Sequence, residues 1–142
     1  MPLPPLLHLP NEEAYRVHFE KLYLPPAVIQ TFDGVHVRFF PRNFHHAFYC
    51  KSKRDSDSKD MFSRQRAERM DWIADVLQDN SAELYRRVMD RGTVRRIALR
   101  SAERYVVIVQ VEKNEKRANF VTAYVVESGE ALRKMRSNPR WK

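Results

Sequence analysis

The spacing of hydrophobic residues changes in the last third of the chain, and this change limits the possible folds more than any other feature. The stretches "TVRRIALR", "RYVVIVQVE" and "RANFVTAYVVE" are rich in Val, Ile, Thr, Tyr and Phe, which favour strands. Residues 101–104 and 114–116 separate them and are short enough for antiparallel hairpin loops. The sequence therefore predicts an antiparallel meander with strands around residues 93–100, 105–111 and 120–126.

Helical spacing precedes the meander. Asn11 is placed to cap a helix that stops at "LPP". Ser63 is placed to cap a second helix over residues 64–77. A further helix is predicted at "AELYRRVMD", because Asn80 and Glu83 have the spacing of a capping box and Gly92 would end it. The residues expected on the buried faces of the first two helices are Tyr15, His18, Phe19 and Leu22, and then Met70, Ile73, Val76 and Leu77.

Between these helices the pattern predicts a hairpin, a short helix and a loop. "VIQTFDGVHVRFF" alternates apolar and polar residues on one side of Asp33-Gly34, a strong turn signal. "HHAFY" predicts the short helix, and "KSKRDSDSKD" predicts a mobile surface loop with Asp57 or Ser58 near its middle. Helices first and strands last indicate the α+β class, with N-terminal helices packed on a C-terminal antiparallel β-meander. The expected organisation is a proline-rich arm at 1–10, a single domain at 11–128 and a basic helix or tail at 129–142.

The charge of the chain points to an anionic partner. Its 142 residues carry a formal net charge of +8, which favours nucleic acid first and an anionic membrane surface second. The competing interpretation is a basic protein without such a partner. Cys50 is the only cysteine, which excludes an internal disulfide and any multi-cysteine zinc site and fits a cytoplasmic location. No apolar run is long enough to span a bilayer, and the start does not resemble a signal peptide, so no membrane partner is expected.

The last strand carries the first candidate functional side chains. A period of two places Val121, Ala123 and Val125 on one face, which suits packing under helices. Phe120, Thr122, Tyr124 and Val126 are then expected on the other face. A ring, a hydroxyl and a phenol together suit a half-open face that stacks a base and donates to a phosphate. The alternative is a core strand buried on both faces, in which Tyr124 has an internal partner.

Two adjacent histidines, His45 and His46, form the second candidate group. Neighbours on a helix point about 100° apart, so no more than one of them is expected to face a site. The sequence has no H-x-x-x-H or H-E-x-x-H pattern and no cysteine cluster, so no metal site and no cofactor is predicted.

Arginines form the third group. Arg66 and Arg69 are three residues apart and share a helix face, either as a phosphate clamp or as part of a solvated, salt-bridged surface. Arg96 and Arg100 share a face of the first meander strand, and Arg95 points away.

In their order and spacing, these segments resemble the phage-associated branch of the barnase–EndoU–colicin–RelE-like nucleases, over residues 44–126. That branch has a His-Ala-Phe segment, an "F-S-x-x-R-A-x-R-x-x-W-I" helix and a strand with "F-x-T-A-Y/F". The matching residues are His46-Ala47-Phe48, then Phe62-Ser63, Arg66-Ala67, Arg69 and Trp72-Ile73, then Phe120 and Thr122-Ala123-Tyr124. The doubled histidine is an addition to the family pattern, and residues 1–40 lie outside the match.

The resemblance implies a metal-independent endoribonuclease, acting as a phage effector or toxin, with RNA as its partner and an acidic inhibitor or immunity protein as a further one. The 2′-hydroxyl would attack its own phosphate and leave a 2′,3′-cyclic phosphate. The residues implied in catalysis are His46, Arg66, Arg69, Thr122 and Tyr124. Those expected to bind substrate are His45, Lys51, Arg96, Arg100 and Phe120. Two other classes stay open: a non-catalytic nucleic-acid-binding module of a phage packaging or assembly system, and a domain that docks on an acidic protein.

Overall fold

A computed structural model describes residues 2–51 and 60–141 of the chain. The predicted mobile loop lies largely outside these residues. The helices are α1 Glu12–Tyr23, α2 Asn43–Phe48, α3 Arg64–Ala67, α4 Trp72–Leu77 and α5 Gly129–Arg136. The strands are β1 Ile29–Gln30, β2 His36–Arg38, β3 Tyr49–Cys50, β4 Met61–Phe62, β5 Glu83–Val88, β6 Val94–Arg100, β7 Tyr105–Val111 and β8 Arg117–Val125.

Six strands form one sheet in the order β1-β2-β8-β7-β6-β5. Neighbours in this sheet are antiparallel except for β2 and β8, which run parallel. The predicted meander is confirmed as β6, β7 and β8, and the α+β class is confirmed with it. Strands β3 and β4 pair separately as a small antiparallel ladder.

The predicted N-terminal hairpin is confirmed as β1 and β2. Gly34 has a φ of 89°, which the turn requires and a residue with a Cβ adopts only under strain. The Thr31 hydroxyl accepts a hydrogen bond from the Val35 amide at 2.9 Å and closes the turn. Val37 and Phe39 are buried, while His36 and Arg38 are exposed, as the alternation predicts.

Helix α1 begins where expected, because Asn11 Oδ1 accepts a hydrogen bond from the Ala14 amide at 2.9 Å. Tyr15 and Phe19 are fully buried, and the Phe19 ring packs on that of Phe39 with ring centres 6.2 Å apart. The next buried side chain is Tyr23, whereas Leu22 is 37% exposed, so the predicted face is wrong by one residue at its end.

Residues 64–77 form two short helices where one was predicted. Ser63 caps α3 as expected, accepting from the Arg66 amide at 3.2 Å. Between the helices, the amides of Arg69, Met70 and Trp72 each bond to the carbonyl three residues earlier, which tightens the chain into turns. The predicted buried stripe is confirmed, and α4 contacts β6 and β7 while α3 contacts β8.

The helix predicted at "AELYRRVMD" is wrong, because residues 83–88 form the strand β5. This strand pairs with β6 along its whole length, and the turn that joins them holds Gly92 at a φ of 82°. Its outer edge also has partners, since the Arg86 amide donates to the Pro139 carbonyl and the Trp141 amide donates to the Leu84 carbonyl. Backbone pairing on both edges outweighs a local capping signal worth about 1 kcal/mol.

Both ends of the described chain lie on the domain. In the proline-rich arm, the Leu7 carbonyl accepts from the Tyr15 hydroxyl at 2.7 Å, and the Pro4 carbonyl accepts from the Trp72 indole at 2.7 Å. At the other end the side chain of Trp141 is 6% exposed and lies in the core, with the guanidinium of Arg86 4.1 Å from its ring. Residues 129–141 therefore pack on the domain, and α5 lies where a basic helix or tail was predicted.

The sheet has two covered faces. Helices α1 to α4 cover one, which we call the helix face, and α5 covers part of the other, which we call the α5 face. The buried side chains of the α5 face are Tyr85, Ile97, Leu99, Val106, Ile108, Val126 and Leu132.

A β-bulge in β8 alters the predicted alternation. Ile108 pairs with Thr122 and Val109 pairs with Phe120, so Val121 has no partner of its own. Ala123 and Val125 lie on the helix face, and Thr122 and Tyr124 on the α5 face, as predicted. Phe120 and Val121 exchange faces relative to the prediction, because the extra residue shifts the period by one.

Candidate nucleic-acid interface

A groove of about 720 Å³ opens at the edge of the α5 face, between the α3 region, β8 and α5. Its wall carries one carboxylate, Glu127. The cations that line it are Arg66, Arg69, Arg87 and Lys134. The groove is also lined by polar and apolar side chains, including those of Gln65, Tyr124, Ser128, Met135 and Asn138. A groove with four cations and one carboxylate attracts anions such as phosphates.

Arg66 and Tyr124 meet in this groove. The guanidinium carbon of Arg66 lies 5.5 Å from the centre of the Tyr124 ring, within the range of a cation–π interaction. Ser63 fixes the start of α3, and the pairing of Tyr124 with Val106 fixes the ring on the α5 face. The sequence predicted both residues, and the fold brings them together from distant parts of the chain.

Arg69 is held beside them by its own neighbours. Its guanidinium carbon lies 5.2 Å from the Trp72 ring, and its Nη1 donates to the Gln65 carbonyl at 2.6 Å. The Nε atom is buried and has no hydrogen-bond partner among the described residues. Buried polar atoms without a partner are uncommon in native proteins, and this one belongs to a side chain that lines the groove.

Thr122 has a similar unsatisfied atom. Its hydroxyl oxygen is buried and has no hydrogen-bond partner in the described part of the chain. The side chain lies on the α5 face opposite Ile108, two register pairs from Tyr124, although Thr122 is not among the residues that line the groove.

The two histidines lie on the exposed side of α2, and His46 is not among the groove-lining residues. The His45 ring stacks on Tyr49 at 4.2 Å and stands at 87° to the His46 ring. Helix α2 contacts both β8 and α3, and the Asn43 amide donates to the Phe120 carbonyl at 3.2 Å. The helix that carries His46 therefore lies beside the bulged part of β8.

Three predicted substrate-binding residues have partners inside the protein. Phe120 is 3% exposed and stacks on Phe39 with ring centres 4.7 Å apart. Arg96 is 2% exposed and donates two hydrogen bonds of 3.0 Å to Asp33. Arg100 lies 2.9 Å from Glu103 and is also paired with Asp79. We leave these three out of the candidate site, while Lys51 and His45 remain exposed candidates.

The pair of Arg96 and Asp33 has an electrostatic signature. Burial alone would raise the pKa of Asp33, but the hydrogen bonds from Arg96 and Thr31 outweigh it and hold that pKa below its ordinary value.

Arg87 and Lys134 were missed as groove residues. Arg87 belongs to the stretch that was wrongly predicted as a helix. Because this stretch is a strand with a period of two, Arg87 shares a face with Tyr85. Lys134 was assigned to a basic tail, and its charge was the one available signal.

Comparison with known proteins produced no match to a family model, a curated protein or a solved structure. No described helix has the length and apolarity needed to cross a membrane. Within residues 2–51 and 60–141, no three His, Cys, Asp or Glu side chains are grouped as metal ligands. The fold and the groove define a class: an α+β domain with a basic groove on one face of a six-stranded sheet.

Proposed function

We propose that the protein is an endoribonuclease that cleaves RNA without a metal ion, as the resemblance to the barnase–EndoU–colicin–RelE-like nucleases implies. One observation carries the proposal: a single groove holds Arg66, Arg69 and Tyr124 together, beside the strand that presents Thr122 and the helix that presents His46. These are the five residues that the resemblance implies in catalysis.

The reaction needs a base for the 2′-hydroxyl, an acid for the leaving 5′-oxygen, and groups that stabilise the crowded phosphate. Histidine suits the first two tasks, because an imidazole both accepts and donates a proton near neutral pH. We assign one of these tasks to His46. The other requires a second proton carrier or a water molecule.

The phosphate is assigned to the groove. Arg66 and Arg69 stay charged at all relevant pH values and present donors to two phosphate oxygens. The Arg69 Nε and the Thr122 hydroxyl lack hydrogen-bond partners among the described residues. We assign both as donors to the phosphate, which requires a movement of these side chains because both atoms are buried. Tyr124 supplies a phenol as a further donor, or a ring on which a base stacks.

The test is cleavage of a mixed-sequence RNA in EDTA, followed by mapping of the new ends. We expect 2′,3′-cyclic phosphate and 5′-hydroxyl ends, and no cleavage of DNA, which has no 2′-hydroxyl. His46→Ala should reduce the rate by about 10²–10⁴-fold, the usual contribution of a positioned acid or base. His45→Ala is the matched control, since it removes the neighbouring imidazole, and it should retain most activity.

Loss of activity in EDTA, equal cleavage of DNA, or a larger defect in His45→Ala than in His46→Ala would each contradict this mechanism. Binding of RNA without any cleavage would favour the non-catalytic module instead.

A further inference from the structure

A row of five polar side chains crosses the α5 face of the sheet and meets the groove at one end, at Arg87. The registers pair Arg87 with Arg95, Arg95 with Gln110, and Gln110 with Asn119 across the meander. On the far side, Asn119 pairs with Arg38 of β2. Directly paired residues project from the same face, so these five form one line, which we call the sheet row.

The residues of the sheet row are at least partly open to solvent, and the guanidinium carbon of Arg38 lies 5.7 Å from the Phe40 ring. Arg38 and Arg87 are exposed, and Arg95, Gln110 and Asn119 are half-buried. Within the described chain, none of the five forms an ion pair or a side-chain hydrogen bond, and the Nε of Arg95 is buried without a partner. The side-chain donors of these three arginines and two amides therefore have no hydrogen-bond acceptor within the described chain.

On the helix face of the same strands, the arginines are paired with carboxylates. Arg86 lies 3.7 Å from Glu115, Arg96 is bonded to Asp33, and Arg100 is bonded to Glu103. Every strand arginine on the helix face thus has a carboxylate, whereas those of the sheet row have none in the described part of the chain. Among the described strand arginines, those without a carboxylate partner lie on the α5 face, and Arg87 also lines the groove.

We propose that the sheet row binds the backbone of single-stranded RNA that extends out of the groove. The proposal rests on the proposed function for the identity of the ligand and adds where the substrate lies and that it is single-stranded. Arg87 makes the row continuous with the groove. At a strand spacing of about 4.8 Å the row spans about 19 Å, enough for a few nucleotides of an extended strand.

The chemistry of the row favours a single strand over other anions. Arg38, Arg95 and Arg87 offer planar donor forks for successive phosphates. Gln110 and Asn119, between the arginines, offer both donors and acceptors, which suits 2′-hydroxyls and the edges of unpaired bases. A patch for an acidic protein would need donors alone.

Binding is measured with a fluorescent 2′-O-methyl RNA oligomer, which lacks the attacking hydroxyl and stays intact on a ribonuclease. The variants are Arg38→Gln, Arg87→Gln and Arg95→Gln, each with wild-type thermal unfolding as a check of the fold. The matched control is Lys21→Gln, which removes one positive charge from the exposed surface of α1 in the opposite layer. Affinity is followed against salt concentration.

Each row variant should weaken binding about three- to tenfold and reduce the slope of log K against log[salt] by about 0.7, the value for one lost phosphate contact on a single strand. Lys21→Gln should leave both unchanged. The affinity of the wild type should rise with oligomer length up to the span of the row, and the Arg95→Gln variant should lose this gain.

Row variants that bind as well as Lys21→Gln would overturn the proposal, as would an equal loss of binding to polyglutamate. Cleavage of ordinary RNA separates the two proposals. If the wild type cleaves RNA and the row variants bind RNA normally, only the proposal for the sheet row is wrong. If the row variants bind RNA more weakly but neither they nor the wild type cleave it, the ribonuclease proposal is wrong and the sheet row is a single-strand binding surface.

Discussion

At the scale of single residues, the partner of a side chain decides its role more than its type does. Arg66, Arg95 and Arg96 are indistinguishable as cations in the sequence. In the structure, Arg96 is buried against Asp33 and Arg66 lies over the Tyr124 ring in a groove. Arg95 is half-buried, and its Nε is buried without a partner among the described residues. The sequence placed Arg95 and Arg96 on opposite faces correctly, but the carboxylate that neutralises Arg96 comes from the turn of a distant hairpin. No local pattern reveals such a pairing.

Thr122 offers a prediction at this scale. Thr122→Val removes a buried hydroxyl that has no partner among the described residues, so the free energy of unfolding should stay unchanged or rise by up to about 1 kcal/mol. If the hydroxyl donates to the phosphate, cleavage should fall by about 10- to 100-fold. Urea unfolding and RNA cleavage are measured on the same preparation. Thr122→Ser keeps the hydroxyl and should keep the activity, and full activity in Thr122→Val would remove Thr122 from the site.

At the scale of elements, prediction succeeded where neighbours along the chain determine the structure. The hairpin at Gly34, the cap at Asn11 and the three meander strands follow from turn chemistry, capping and period. It failed for β5, whose partners are β6 and the segment around Pro139, and at the bulge in β8. A bulge adds one residue without any change in composition, so a period-two pattern cannot reveal it.

The segment after α5 should be essential for stability. Trp141→Ala should lower the free energy of unfolding by about 3–5 kcal/mol, because it leaves a cavity in the core and removes the ring beside Arg86. Trp141→Phe should lose less. The control is Val88→Ala on the neighbouring strand, where the side chain is 64% exposed and the change should stay within about 0.5 kcal/mol. Equal urea midpoints for Trp141→Ala and Val88→Ala would mean that the segment is not part of the folded core.

At the scale of the whole molecule, the distribution of ion pairs predicts how stability responds to acid. The hydrogen bond from Arg136 lowers the pKa of Glu83. Burial would raise the pKa of Asp79 and of Asp33, but hydrogen bonds from Ser81 in one case and from Arg96 in the other lower both values. Each of these carboxylates binds a proton more readily in the unfolded chain than in the folded one. The free energy of unfolding therefore rises with pH through the range in which they titrate.

The protein should therefore be most stable above the ordinary carboxylate pKa values of about 3.9–4.3 and lose stability as the pH falls through the lower, folded-state values. Urea midpoints at pH 7 and pH 3 measure this loss. Glu83→Gln should reduce the difference between the two pH values, because it removes one of the contributing groups. A difference that is unchanged in Glu83→Gln would show that its pairing with Arg136 contributes nothing in solution.

The parallel pairing of β2 with β8 has a consequence for the order in which the molecule is made. A ribosome produces β2 long before β8, and α2 also rests on that later strand. A nascent chain that has not reached residue 124 has the histidines but lacks Tyr124 and the wall that α5 forms. A ribonuclease of the proposed kind would thus be inactive while most of its chain is being translated, because the last strand must be made before the site can assemble. It would not cleave its own messenger RNA during that time.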